Sequence, residues 1–329
     1  MNCKERPSAK RSTKKILIFC DPGIDDAVAL LYAHIHPEID IVGIVASYGN
    51  TTRENAIRNV IYLHELFDMK HVPIFSGADG PFTGKEVVEH IEIHGVYGLG
   101  KMNIPAMIDV EPFENFFDVI DVIKRYKNEL TILTTGRLTS LATLYVFYPR
   151  LMKLSVKEVV SMSGAFFVPG NITPLAEANV YEDPIAANLV ISLVPKITMI
   201  PLNVTNELLV PMEIVHDIAF TNGFGIFEAL LEYYYAFYQA STEDELIGTP
   251  IHDVVAASAL VNPHFFEYKS YRVYVESMNS ETAGTTFPDI RRLAELPPAP
   301  EHLVAVDVDN DAFLEDFIRI LTLNKNVNM

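Results

Sequence analysis

Apolar positions in this chain fall into short continuous runs separated by stretches with helical spacing. Residues 16–20, 39–47, 72–75, 130–134, 159–162 and 197–201 are dominated by Ile, Leu, Val and Phe, as strands buried on both faces of a sheet are. Between them, residues 27–36, 55–66, 138–148 and 184–193 carry helical patterns, the first stopped by Pro37. Such alternation is the mark of parallel βαβ units and predicts an α/β fold, an open, mostly parallel Rossmann-like sheet flanked by helices. After Leu208 the pattern changes to a long aromatic periodicity over 224–240, a polar stretch over 241–248 and an apolar helix from Val254. These predict an added helical layer over the active-site end of the sheet. Late strands at 271–277 and 303–308 and a closing helix at 312–321 complete the pattern. No repeat or linker interrupts it, so the expected organisation is a basic, disordered leader over 1–14 and a single domain over 15–329.

Composition narrows the partners. With 329 residues, 49% hydrophobic and 21% charged, the chain has the make-up of one large globular domain. A net charge of −18 argues against nucleic acid and against an anionic membrane surface, since both require basic residues to meet phosphates. Two cysteines make no disulfide framework, which points to a reducing, cytoplasmic setting. The leader is basic like the start of a signal peptide, but its apolar run ends at Asp21 after five residues, at 16–20.

The most informative segment is Phe19-Cys20-Asp21-Pro22-Gly23-Ile24-Asp25-Asp26, where a strand ends, a Pro-Gly turn follows and a helix starts. Open parallel sheets bind ligands at the carboxyl ends of their strands, where these three acids stand. Asp25 and Asp26 also suit the first turn of a helix as caps. Three carboxylates within six residues nevertheless repel one another unless a cation collects them, and oxygen ligands favour calcium or magnesium. Neighbouring helix positions point apart, so Asp25 and Asp26 are expected to serve different ligands. An acidic elbow also occurs in phosphatases, but no Walker-type Gly-Lys motif or GxGxxG fingerprint accompanies it.

From Lys15 onward the sequence resembles the inosine-uridine nucleoside hydrolase family in six ordered blocks. The elbow is similar to the family's DPGxDD signature. The others are Gly49-Asn50, Ile93-His94-Gly95-Val96-Tyr97-Gly98, Thr134-Thr135-Gly136-Arg137-Leu138-Thr139, residues 169–184 with Asn171, Glu177 and Asn179, and Ile251-His252-Asp253. The resemblance implies a calcium site made by Asp21, Asp26, the Thr135 carbonyl and Asp253. It implies ribose or pocket contacts from Asp25, Asn50, His94, Asn171, Glu177 and Asn179, with Tyr234 and Tyr238 flanking the base. Asp21 is then the general base for a calcium-held water and His252 the acid for the leaving group, releasing ribose and free base. A neutral nucleoside substrate, a role in ribonucleoside catabolism and salvage, and a dimeric or tetrameric homo-oligomer are implied in the same way. Two positions depart from the family pattern: Phe19 stands where an Asp is usual and Ser140 where an Asn is usual. The chain has no tryptophan, which removes base activation by stacking between indoles and favours the inosine-uridine or pyrimidine-preferring branches. A binding protein of the same fold and a metal-dependent phosphoesterase are the competing classes.

Overall fold

The computed structural model describes residues 13–102, 104, 115–278, 280–291 and 299–323. Eight strands build the central sheet: β1 (Lys14–Cys20), β2 (Ile39–Ala46), β3 (Ile74–Ser76), β4 (Leu130–Thr134), β5 (Val156–Met162), β6 (Ile197–Ile200), β7 (Phe266–Tyr271) and β8 (His302–Val308). Their order is β3-β2-β1-β4-β5-β6-β8-β7, parallel throughout except for the edge pair β8–β7. The expected α/β architecture is present. Residues 1–12 of the expected leader lie outside the described residues, and Lys14 already begins β1, paired with Ile39.

Period-two side-chain alternation divides the interior into two cores. Ile16, Ile18 and Cys20 of β1 face one core with helices α1 (Ile24–Ile35), α2 (Arg53–Leu66), α5 (Gly225–Ala240), α6 (His252–Ala259) and α7 (Asn310–Leu321). Leu17 and Phe19 face the other, with α3 (Thr139–Phe147) and α4 (Pro184–Leu193). Both faces of the sheet are therefore covered, which explains why its strands read as unbroken apolar runs.

Differences from the sequence reading are local and have causes. The strand expected over 72–75 starts at Ile74, because Pro73 has no N–H to give and the Val72 N–H closes a turn onto the Met69 carbonyl at 2.9 Å. The strand expected over 271–277 breaks at Arg272: Val273–Val275 joins Thr286–Pro288 in a separate two-stranded sheet. Edge strand β7, before that break, carries exposed Glu267 and Lys269 and so lacks a strong apolar signal. Helix α6 starts at His252 rather than Val254, which places His252 and Asp253 in its first turn.

Sheet order reverses direction between β1 and β4, the strands joined in the middle by parallel pairing. Chain segments leaving their carboxyl ends diverge there and open a crevice. Asp21 follows β1 and Thr135-Gly136-Arg137 follow β4, so the first and fourth sequence blocks meet at this point.

Candidate active site

Asp21 is fully buried at the floor of the crevice. Its Oδ2 accepts from the Asn50 backbone N–H at 2.7 Å and from Arg137 Nη1 at 2.5 Å, whereas its Oδ1 has no hydrogen-bond partner among the described residues. Two glycines make room for it: a Cβ at Gly49 would lie 1.8 Å from Oδ2, and one at Gly136 2.4 Å from Oδ1. Any side chain at either position would displace the carboxylate.

Asp25 and Asp26 occupy the first turn of α1, where carboxylates meet the helix dipole favourably. Asp26 is also a local cap, its Oδ2 accepting from the Gly23 N–H at 3.0 Å and from Asn50 Nδ2 at 3.1 Å, and its Oδ1 from the Thr135 hydroxyl at 2.7 Å. Asp25 Oδ1 is buried without a partner among the described residues. Oxygens of Asp25, Asp26 and Asp253 lie within 4.8 Å of one another, all three residues buried. Burial, then the Asp26 charge, pushes the Asp25 carboxyl up to about 7. Burial and the surrounding acids likewise raise Asp253 well above the carboxylate range. Burial raises Asp21 too, against the opposing pull of Arg137. A hard divalent cation fits such a set of orphaned and mutually repelling oxygens. The grouping unites Asp25 with Asp26 and Asp253, while Asp21 is tied to Arg137.

Above this floor lies a cavity of about 420 Å³. Asp25, Asn50, His94, Thr135, Asn171, Glu177, Asn179, Tyr234, Tyr238, His252 and Asp253 line it, whereas Asp21 and Asp26 sit beneath. On its wall, Asn179 Nδ2 donates to the carbonyls of Thr135 (2.7 Å) and Met162 (3.1 Å). Glu177 caps the short helix Ala178–Tyr181 by accepting from the Asn179 N–H at 2.7 Å, and Asn171 accepts from the Ala178 N–H at 3.0 Å. Tyr234 and Tyr238, also on the wall, meet edge to face at 5.0 Å, with His94 5.6 Å from Tyr234 and His252 6.4 Å from Tyr238. His252 Nδ1 pairs with the Thr205 hydroxyl at 2.9 Å, and burial holds its imidazole low, at about 4.

Sequence reasoning gave no site role to Arg137, His90, Met162 and Phe237, which also line the cavity. His90 precedes His94 by four residues, a metal-ligand spacing, but the rings part: His90 bonds Glu182 at 2.6 Å and His94 Nδ1 accepts from the Ile24 N–H at 3.2 Å. Arg137 stands in the fourth sequence block as the cation next to the Thr135-Gly136 turn, but the sequence assigns it no role. The two departures lie away from the cavity wall. Phe19 packs into the second core, and Ser140 pairs with Ser47 at 2.9 Å and accepts from the Ala78 N–H at 2.8 Å.

A family described as inosine-uridine preferring nucleoside hydrolase matches residues 16–315, from the first apolar residue of β1 into α7. The chain belongs to this family. It is therefore a hydrolase acting on N-glycosyl bonds, one that splits ribonucleosides into ribose and base. An inosine-uridine preferring nucleoside hydrolase of Crithidia fasciculata is 32% identical over 313 residues, covering 91% of this chain and 95% of that protein. Uridine nucleosidase 1 of Arabidopsis thaliana is 33% identical over 267 residues, 80% of this chain and 79% of its own length. Among solved structures, a purine-preferring ribonucleoside hydrolase from Gardnerella vaginalis superposes with a TM-score of 0.86 at 28% identity, covering 94% of this chain and 98% of that one. Among the described residues of this nucleoside hydrolase no helix is long and apolar enough to cross a membrane.

Proposed function

We propose that this nucleoside hydrolase acts on inosine, uridine or related pyrimidine ribonucleosides, with Asp21 as general base, His252 as donor to the leaving base and calcium as its metal. The observation that carries this reading is the lone Asp21 Oδ1 beside the Asp25, Asp26 and Asp253 cluster, under a cavity lined by amides and tyrosines. Asp21, Asp26, Asp253 and the Thr135 carbonyl would hold the calcium. When bound, it supplies a fixed positive charge that polarises a water and orients the sugar. Asp21 Oδ1, which has no hydrogen-bond partner among the described residues, would accept the proton of the attacking water. Asp25, Asn50, Asn171, Glu177 and Asn179 would grip the ribose hydroxyls, using sugar binding to fix the anomeric carbon, while His94 would close the pocket beside Tyr234. The positive charge that develops on the sugar in an oxocarbenium-like transition state then faces an acidic floor.

At the base end, a neutral imidazole suits the site. With the Thr205 hydroxyl donating to Nδ1, the fitting neutral tautomer of His252 carries its N–H on Nε2 and would stabilise the departing base by a hydrogen bond, while outright proton transfer would draw on the imidazolium form that burial disfavours. The walls there are Tyr234, Phe237 and Tyr238, with no indole in the chain to stack on a purine. Incubation with inosine and uridine, scored for free ribose, and with phosphate monoesters, scored for phosphate, tests the reading. Ribose without phosphate is expected. Phosphate release would make the chain a phosphoesterase, and tight binding with neither product would make it a binding protein.

Two further results are expected. Asp25→Ala should leave one calcium per chain in a titration while weakening a ribose analogue at least about tenfold, as loss of a charged hydrogen bond does. Loss of calcium with the analogue's affinity intact would move Asp25 to the metal. The second concerns pH. Asp25, Asp26 and Asp253 are all raised, so in the calcium-free protein they favour folding while protonated and oppose it as they ionise. The melting temperature of calcium-free protein should therefore fall between pH 5 and pH 8, through the Asp25 value of about 7. Saturating calcium, held by Asp26 and Asp253 beside Asp25, should remove that fall; an equal fall in both states would count against a metal at this place.

A further inference from the structure

Arg137 is the one Lys or Arg in the buried interior among the described residues, and it lies among the carboxylates of Glu182, Asp21 and Glu177. Its Nε donates to Glu182 Oε2 at 2.7 Å, and Glu182 is held in turn by His90 at 2.6 Å. Its Nη1 donates to Asp21 Oδ2 at 2.5 Å, Asn179 Oδ1 at 3.1 Å and Asn50 Oδ1 at 3.2 Å. The guanidinium therefore spans from an anchored carboxylate on one side to the proposed general base on the other. Asp21 Oδ2, with Arg137 and the Asn50 N–H on it, is saturated, and only Oδ1 is left over.

We propose that Arg137 is a positioning residue that fixes Asp21 by one oxygen, so that the other alone serves reaction and metal, and that its charge sets how tightly the site holds its cation. The proposal rests on the assignment of Asp21 as base and ligand. Two consequences of opposite sign follow. A fixed positive charge beside a cation site weakens binding of that cation, so removing it should tighten calcium. The same removal frees Asp21 to turn and to offer both oxygens to the metal, which should slow the chemical step. A residue that merely supports the fold would, when lost, loosen calcium and slow the reaction together.

Arg137→Met removes charge and donors at similar length, whereas Arg137→Lys keeps the charge but has no planar fork to span Asp21 and Glu182. Calcium binding by calorimetry at pH 8 and ribose release from uridine and inosine would be measured on both and on the parent. For Arg137→Met, calcium affinity should rise about tenfold or more. Its kcat should fall about 10- to 100-fold with KM little changed, as for a misplaced reacting group. Arg137→Lys should bind calcium like the parent and still lose kcat. Unchanged or weaker calcium binding by Arg137→Met overturns the proposal, as does parental kcat in Arg137→Lys. If Arg137→Met does not fold, Arg137→Lys decides by the same kcat criterion. A parent that binds calcium but releases no ribose refutes the proposed function instead, and the calcium arm alone then decides the role of Arg137.

Discussion

Asp21→Ala should reduce ribose release from inosine, from uridine and from p-nitrophenyl riboside alike by at least about 10²- to 10⁴-fold, the range that a positioned general base contributes. All three substrates need the same attacking water, whatever group leaves. Asp21 Oδ1 is an unpartnered oxygen at the floor of the crevice, and Gly49 and Gly136 leave the space that its carboxylate fills. Excess calcium should not rescue the variant, since the missing group accepts a proton as well as contacting the metal. Recovery of parental rates at high calcium would reduce Asp21 to a metal ligand and send the search for a base elsewhere.

His252→Ala should show a different signature. A hypoxanthine or uracil anion leaves ribose poorly, so a positioned donor is expected to contribute about 10²- to 10⁴-fold for natural nucleosides. Nitrophenolate departs without help, and p-nitrophenyl riboside hydrolysis should remain within a few-fold of the parent, about the level of a lost contact. Thr205→Val, which removes the hydroxyl 2.9 Å from Nδ1, should give a milder version of the same split by loosening the ring and its tautomer. If His252→Ala slows both substrate types equally, the imidazole holds sugar or metal. His94, on the same cavity and also held neutral by burial at about 3, would then be the next donor to test.

What was legible in the sequence follows from what sequence patterns encode. Strands covered on both faces leave apolar runs whatever their neighbours, so β1, β2, β4, β5 and β6 could be read directly. Strand β7 could not, because an edge strand survives with Glu267 and Lys269 exposed and so alternates with polar residues. Candidate residues inside local motifs could be named, the Asp21 elbow from its three acids and the His252-Asp253 pair through the family resemblance. Contacts made across the fold could not: Arg137 bonds Asp21 over 116 positions and Glu182 over 45, and no spacing rule links them. The proximity of Asp253 to Asp25 and Asp26 likewise depends on α6 packing against α1, which turns two distant acidic segments into one cluster.

The central claim is that Asp21, Asp26 and Asp253 hold calcium while the nucleoside is cut. Its most direct test is to strip the protein of metal, verify the absence of metal by elemental analysis, and measure ribose release from uridine and inosine before and after calcium is restored. The account predicts loss of ribose release in the stripped protein and full return with about one calcium per chain, the stoichiometry of a single oxygen-ligand site. Undiminished ribose release from a preparation shown to be metal-free would contradict it.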